Sequence, residues 1–105
     1  MKYETYKKLA PAALGKVKAD LIFKNCRIVD VFTGEVVEGN IGVKDGIIIG
    51  VSRSLQGKKE IDLNGAYIAP GFIDAHLHLE STMVAPAELV ATAASFGTTT
   101  FIVDP

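Results

Sequence analysis

In the stretch Pro70-Gly71-Phe72-Ile73-Asp74-Ala75-His76-Leu77-His78-Leu79, apolar and polar residues alternate with a period of two from Phe72 onward. That alternation predicts a strand with one packed face and one polar face. Asp74, His76 and His78 project one way, whereas Ile73, Ala75, Leu77 and Leu79 project the other. Residues two apart on a strand lie roughly 6 to 7 Å apart at their Cα atoms, so both imidazoles can grip one metal ion. The competing reading is a pair of half-buried histidines on an amphipathic strand. Two neutral imidazoles beside a carboxylate are expensive to bury without partners, and His76 and His78 are the two histidines of the chain. The metal reading is preferred. Asp74 can ligate the ion, orient a ligating histidine or satisfy backbone groups, and the second of these is expected. Glu80 opens the following loop with Ser81 and Thr82, as a solvated carboxylate or a member of the site.

Downstream, Pro86 suits the first turn of a helix and Glu88 complements its positive end. Leu89, Ala93 and Phe96 recur at helical spacing before Gly97 stops it. The helix is expected to cover a sheet. Thr98 to Val103 is β-branched or aromatic throughout and reads as a buried strand. Strand, helix and strand in residues 70–105 make a βαβ unit with parallel strands. Two parallel strands with one helix leave a face uncovered, so the unit needs partners. A (β/α)₈ barrel places its sites at the C-terminal strand ends, which is where the two histidines fall.

Upstream, residues 2–14 predict a short helix with Pro11 as an interruption and Gly15 as its stop, within an N-terminal helical arm at 1–16. Strand material runs from Asp20 to Phe32 and closes at Thr33-Gly34. Ile41-Gly42-Val43-Lys44 and Ile47-Ile48-Ile49-Gly50-Val51 flank Asp45-Gly46, a dipeptide suited to a tight hairpin turn. Gln56-Gly57-Lys58-Lys59 reads as a polar loop, Glu60-Ile61-Asp62-Leu63 as a short strand and Asn64-Gly65 as a turn. Residues 17–69 therefore form a partial β-sandwich domain, and 70–105 the first βαβ of an incomplete TIM-type barrel. The fold class is α/β, a small β-rich N-terminal unit followed by the start of a metallo-hydrolase barrel.

Composition narrows the functional classes. The 105 residues are 49% hydrophobic and 22% charged, enough for a small core and too apolar for a disordered chain. Eleven basic residues against twelve acidic ones give a formal net charge of -1, without the basic excess that nucleic acid binding needs. Charges occupy the N-terminus where a signal peptide needs its apolar core, and no apolar run approaches the roughly 18 residues of a membrane span. A single cysteine, Cys26, fits a small core residue in a reducing cytoplasmic setting. Lys7-Lys8 and Lys58-Lys59 read as solvated pairs. Gly42, Gly46 and Gly50 lack the strand-to-helix setting of a phosphate loop.

The run Pro70-Gly71-Phe72-Ile73-Asp74-Ala75-His76-Leu77-His78 resembles the amidohydrolase superfamily, whose first barrel strand carries a His-x-His metal pair. Leu79-Glu80-Ser81-Thr82-Met83-Val84-Ala85-Pro86, Phe96-Gly97-Thr98-Thr99-Thr100 and Val103-Asp104-Pro105 are similar to the adenine deaminase family within it. Upstream, Ala19-Asp20-Leu21-Ile22-Phe23-Lys24-Asn25 and Val31-Phe32-Thr33-Gly34-Glu35 match that family's opening β segment. The resemblance implies hydrolytic deamination of adenine to hypoxanthine and ammonia at a binuclear centre that uses manganese or iron. His76 and His78 carry over as metal ligands, and no catalytic residue carries over. A barrel takes about 250 residues, so the expectation is an N-terminal fragment that is inactive alone and self-associates through exposed edges. The alternatives are a noncatalytic self-associating β module and a fragment of another amidohydrolase acting on cyclic amides.

Overall fold

The computed structural model describes residues 1–104; Pro105, the last residue of the expected 70–105 unit, lies outside the described residues. The chain divides into two compact units, Met1–Ala69 and Pro70–Pro105. The first opens with helix α1 (Tyr3–Ala13), which runs through Pro11 instead of being interrupted there. It ends at Gly15, whose φ of 71° lets the chain reverse. The Gly15 N–H donates to the Ala12 carbonyl at 3.0 Å and the Lys16 N–H to the Pro11 carbonyl at 2.8 Å, satisfying last-turn acceptors.

Five strands follow: β1 (Ala19–Asp30), β2 (Glu35–Lys44), β3 (Ile47–Val51), β4 (Gly57–Asp62) and β5 (Tyr67–Ile68). They form one sheet in the order β3-β2-β1-β4, with β5 also paired to β1. The β1–β2 and β2–β3 pairs are antiparallel, whereas β4 and β5 run parallel to β1. The expected hairpin at Asp45-Gly46 is present, with both residues at positive φ, 50° and 73°, as a type I′ turn requires. Asp20 anchors it, because its Oδ2 accepts the Asp45 N–H at 2.8 Å. That hydrogen bond, with Lys44 and Lys58 nearby, holds the Asp20 carboxyl below the usual carboxylate range.

Several expected boundaries move. β1 stops at Asp30 instead of Phe32, because the Asp30 carboxylate accepts the backbone N–H groups of Phe32 and Thr33 and folds Val31-Phe32 into the turn. β2 begins at Glu35, earlier than Ile41, since pairing with β1 from Asp30↔Glu35 onward supports residues whose own pattern is not apolar. Gly57-Lys58-Lys59 is strand instead of loop, held parallel to β1 by the register Ala19↔Gly57. The β1–β2 register shifts between Phe23 and Cys26, where Asn25 adopts a φ of 53°. This is a bulge. Buried Asn40 accepts the Asn25 N–H on its side-chain Oδ1 at 3.0 Å, and the Asn25 carbonyl accepts from Gly65 at 2.7 Å.

Ala19, Ile22 and Leu55 form the buried cluster, with Ile49 packed against it. Cys26 is buried, as a small core residue should be. Leu9 and Ala12 are the buried residues of α1, which packs on β3 and β2. A Cβ at Gly57 would lie 2.7 Å from Cγ1 of fully buried Ile22 and 2.8 Å from the Lys59 carbonyl oxygen. The backbone there cannot yield without breaking the β1–β4 register. Gly57→Ala is therefore expected to destabilise the first unit by about 1–3 kcal/mol, read as a lower midpoint in urea denaturation; an unchanged midpoint would show that β4 shifts freely.

The second unit holds β6 (Phe72–Leu77), a single 3₁₀ turn (Leu79–Thr82), helix α2 (Pro86–Ala94) and β7 (Thr98–Val103). β6 and β7 pair in parallel, as expected of the strands on either side of the helix. Gly71 lies so close to Thr99 that a Cβ there would collide with the Thr99 side chain. The packing expectations fail in this unit. β7 is not a buried strand, α2 buries none of its residues, and Phe96 is 82% exposed. Ile73, on the face assigned to packing, is 64% exposed. The cause is physical: two strands and a nine-residue helix cannot cover both faces of the sheet.

Candidate functional site

The site lies at the C-terminal end of β6. The strand ends at Leu77, so His78 and Leu79 leave the ladder, yet His78 keeps an extended backbone at φ -99° and ψ 103°. The period of two thus persists through His78. His76 and His78 meet on one face, with Nε2 atoms 3.0 Å apart and ring centroids 4.8 Å apart in an edge-to-face arrangement. The chain turns away in the 3₁₀ segment, which Met83 closes at a φ of 58°. The Thr82 hydroxyl donates to the Leu79 carbonyl inside that turn at 2.6 Å.

The two carboxylates of the region take different partners. Asp74 Oδ1 accepts the backbone N–H of His76 at 3.1 Å, so it supports the main chain leading into the first expected ligand. Glu80 Oε1 lies 3.1 Å from Nδ1 of His78, the ring nitrogen that does not face His76. Residue order allowed this to be seen in advance: 74, 76, 78 and 80 continue one period of two, but Glu80 read first as a loop residue.

Two imidazole nitrogens held about 2.1 Å from one cation at right angles would themselves be about 3.0 Å apart. The Nε2 pair has that spacing, and imidazole nitrogen suits divalent transition metals, so the donors fit part of a metal site. Among the described residues, no group of three or more His, Cys, Asp or Glu side chains could hold a metal ion. The fit is therefore that of one pair of ligands.

Solved structures place this architecture in a class. A crystal structure of N-acyl-D-glutamate deacylase from Bordetella bronchiseptica, complexed with zinc and a phosphonate inhibitor, matches with a TM-score of 0.67 and 27% identity, covering 83% of this chain and 19% of that one. L-Hydantoinase (dihydropyrimidinase) from Arthrobacter aurescens matches with a TM-score of 0.66 and 30% identity, covering 83% of this chain and 21% of that one. Both are amidohydrolase-superfamily enzymes, and the mixed α/β, sheet-rich chain shares their fold over this stretch.

Sequence relatives are more specific. An adenine deaminase from Desulfitobacterium hafniense (strain Y51) is 54% identical over 99 residues, which is 94% of this chain. The likeness to adenine deaminases seen in the Glu80-Ser81-Thr82-Met83-Val84 run is thus matched by relatives of that name along nearly the whole chain. The chain spans 17% of that relative's length. No family model matches it.

Proposed function

We propose that this chain is the N-terminal part of a metal-dependent adenine deaminase, in which His76 and His78 hold a divalent cation and the substrate is adenine. The observation that carries the reading is the convergence of the two Nε2 atoms at 3.0 Å, in a chain 54% identical to an adenine deaminase. Residues 70–105 are read as the first βαβ of a (β/α)₈ barrel, with the site at the strand's C-terminal end. Residues 17–69 are read as part of a composite β domain, preceded by the helical arm at 1–16. The metal centre of the complete enzyme is read as binuclear, with manganese or iron in preference to the zinc of the deacylase structure. A reducing cytoplasmic setting suits the free thiol of Cys26. Among the described residues no helix is long and apolar enough to cross a membrane.

The overall reaction consumes water and adenine and releases hypoxanthine and ammonia. When bound, the divalent cation supplies Lewis acidity that brings water ionisation into the neutral range. The residues of this chain prepare that site. Asp74 fixes the backbone at His76, and the extended backbone that continues through His78 keeps the two rings on one face.

The likeness to L-hydantoinase favours a second reading, a fragment of an enzyme that opens cyclic amides. A full-length protein carrying this segment decides between them. Ammonia release from adenine, without hydrolysis of hydantoin or dihydrouracil, is the expected result; cyclic-amide hydrolysis without adenine turnover would sink the proposal.

A further inference from the structure

We infer that Glu80 is a positioning residue that fixes the tautomer of His78, an inference resting on the metal reading above. A neutral imidazole carries one N–H and one lone pair, and the partner of one nitrogen selects the role of the other. The Glu80 carboxylate oxygen accepts hydrogen bonds, so its 3.1 Å contact with the His78 ring places the imidazole proton on Nδ1. The lone pair of His78 then sits on Nε2, the atom that faces His76 at 3.0 Å. His76 in turn donates from its own Nε2 in the metal-free pair. One carboxylate therefore sets the order of both protons, and it leaves His78 ready to ligate while His76 moves its proton to Nδ1 before it can do so.

The placement follows from local sequence. Glu80 lies two residues after His78, within the 3₁₀ turn that begins at Leu79, and its carboxylate reaches Nδ1 of that imidazole. Partners of this kind orient a ligand ring and raise its basicity, and their loss typically costs about 10–100-fold in metal affinity.

The two histidines make the test tractable, because a chain labelled with ¹⁵N-histidine shows four ring nitrogens. Nitrogen-detected correlation spectra of the metal-free chain are expected to show His78 protonated at Nδ1 and His76 at Nε2. Glu80→Ala should shift the His78 proton towards Nε2, whereas Glu80→Gln, which keeps an acceptor oxygen, should retain the original tautomer. His78 protonated at Nε2 in the unmodified chain, or a tautomer insensitive to Glu80→Ala, would overturn the inference. Glu80 is two-thirds exposed, so neither variant threatens folding.

A second readout separates this inference from the metal reading. In a full-length protein carrying the segment, Glu80→Ala is expected to weaken Mn²⁺ binding by about 10–100-fold, with Glu80→Gln closer to the unmodified protein. Loss of Mn²⁺ binding in His78→Ala but not in Glu80→Ala would overturn the positioning role and leave the metal site standing. Absence of Mn²⁺ binding throughout would overturn the metal reading, while the tautomer spectra would still decide the role of Glu80.

Discussion

In a full-length protein carrying this segment, His76→Ala and His78→Ala are each expected to lower kcat/KM for adenine by about a thousandfold or more. Each removes one of two nitrogens that lie 3.0 Å apart, and the remaining imidazole cannot define a bidentate corner for a cation. A cation held there would supply the Lewis acidity that brings water ionisation into the neutral range, so its loss would remove the nucleophile at neutral pH. Metal content should fall with activity in the same samples. The isolated 105-residue chain should release no ammonia from adenine even with added manganese, because its described residues bring no third ligand to the pair. Turnover by the isolated chain that disappears in His76→Ala would mean that copies of the chain rebuild a working site, and the argument from the incomplete ligand set would fail. Full activity in His76→Ala of the full-length protein would remove His76 from the centre altogether.

What the sequence revealed, it revealed through local physics. Asp45-Gly46 tolerates positive φ at both positions, so the β2–β3 hairpin could be placed from the dipeptide and its apolar flanks. The alternation from Phe72 to His78 put the histidines on one face, and the fold brings their Nε2 atoms together. Features that depend on distant partners were not legible. Within β2, Glu38 and Gly39 have no apolar strand pattern of their own and are strand through pairing to β1, while the buried Asn40 satisfies the Asn25 bulge with its side chain. β5 is two residues long and exists through its parallel pairing with β1. Burial in the second unit was not legible for the opposite reason: Thr98 to Val103 and Phe96 have the composition of buried segments, but two strands and one helix leave them uncovered.

That contrast in burial predicts a large difference in hydrogen exchange. The first unit has fully buried Ala19 and Ile22 in β1 of its sheet, whereas none of the described residues of the second unit is buried. Phe72, Ile73 and Ile102 stand 63%, 64% and 56% exposed on a two-stranded sheet in which both strands are edges. Opening such a sheet uncovers little apolar surface beyond what is already wet, so its opening free energy is small. In the isolated chain at low concentration, the amides of β6 and β7 are expected to exchange at least about 100-fold faster than the paired amides at the centre of β1 and β2, a difference of about 2.7 kcal/mol in opening free energy. In the full-length protein the same β6 and β7 amides should become protected, since the covering strands and helices would supply the missing burial. Raising the concentration of the isolated chain should also slow their exchange, with sedimentation showing larger species, because the apolar faces and free edges then find one another. Equal protection of β6 and β1 in a chain shown to be monomeric would mean that the second unit holds together without partners, and both the barrel reading and the proposed self-association would lose their physical basis.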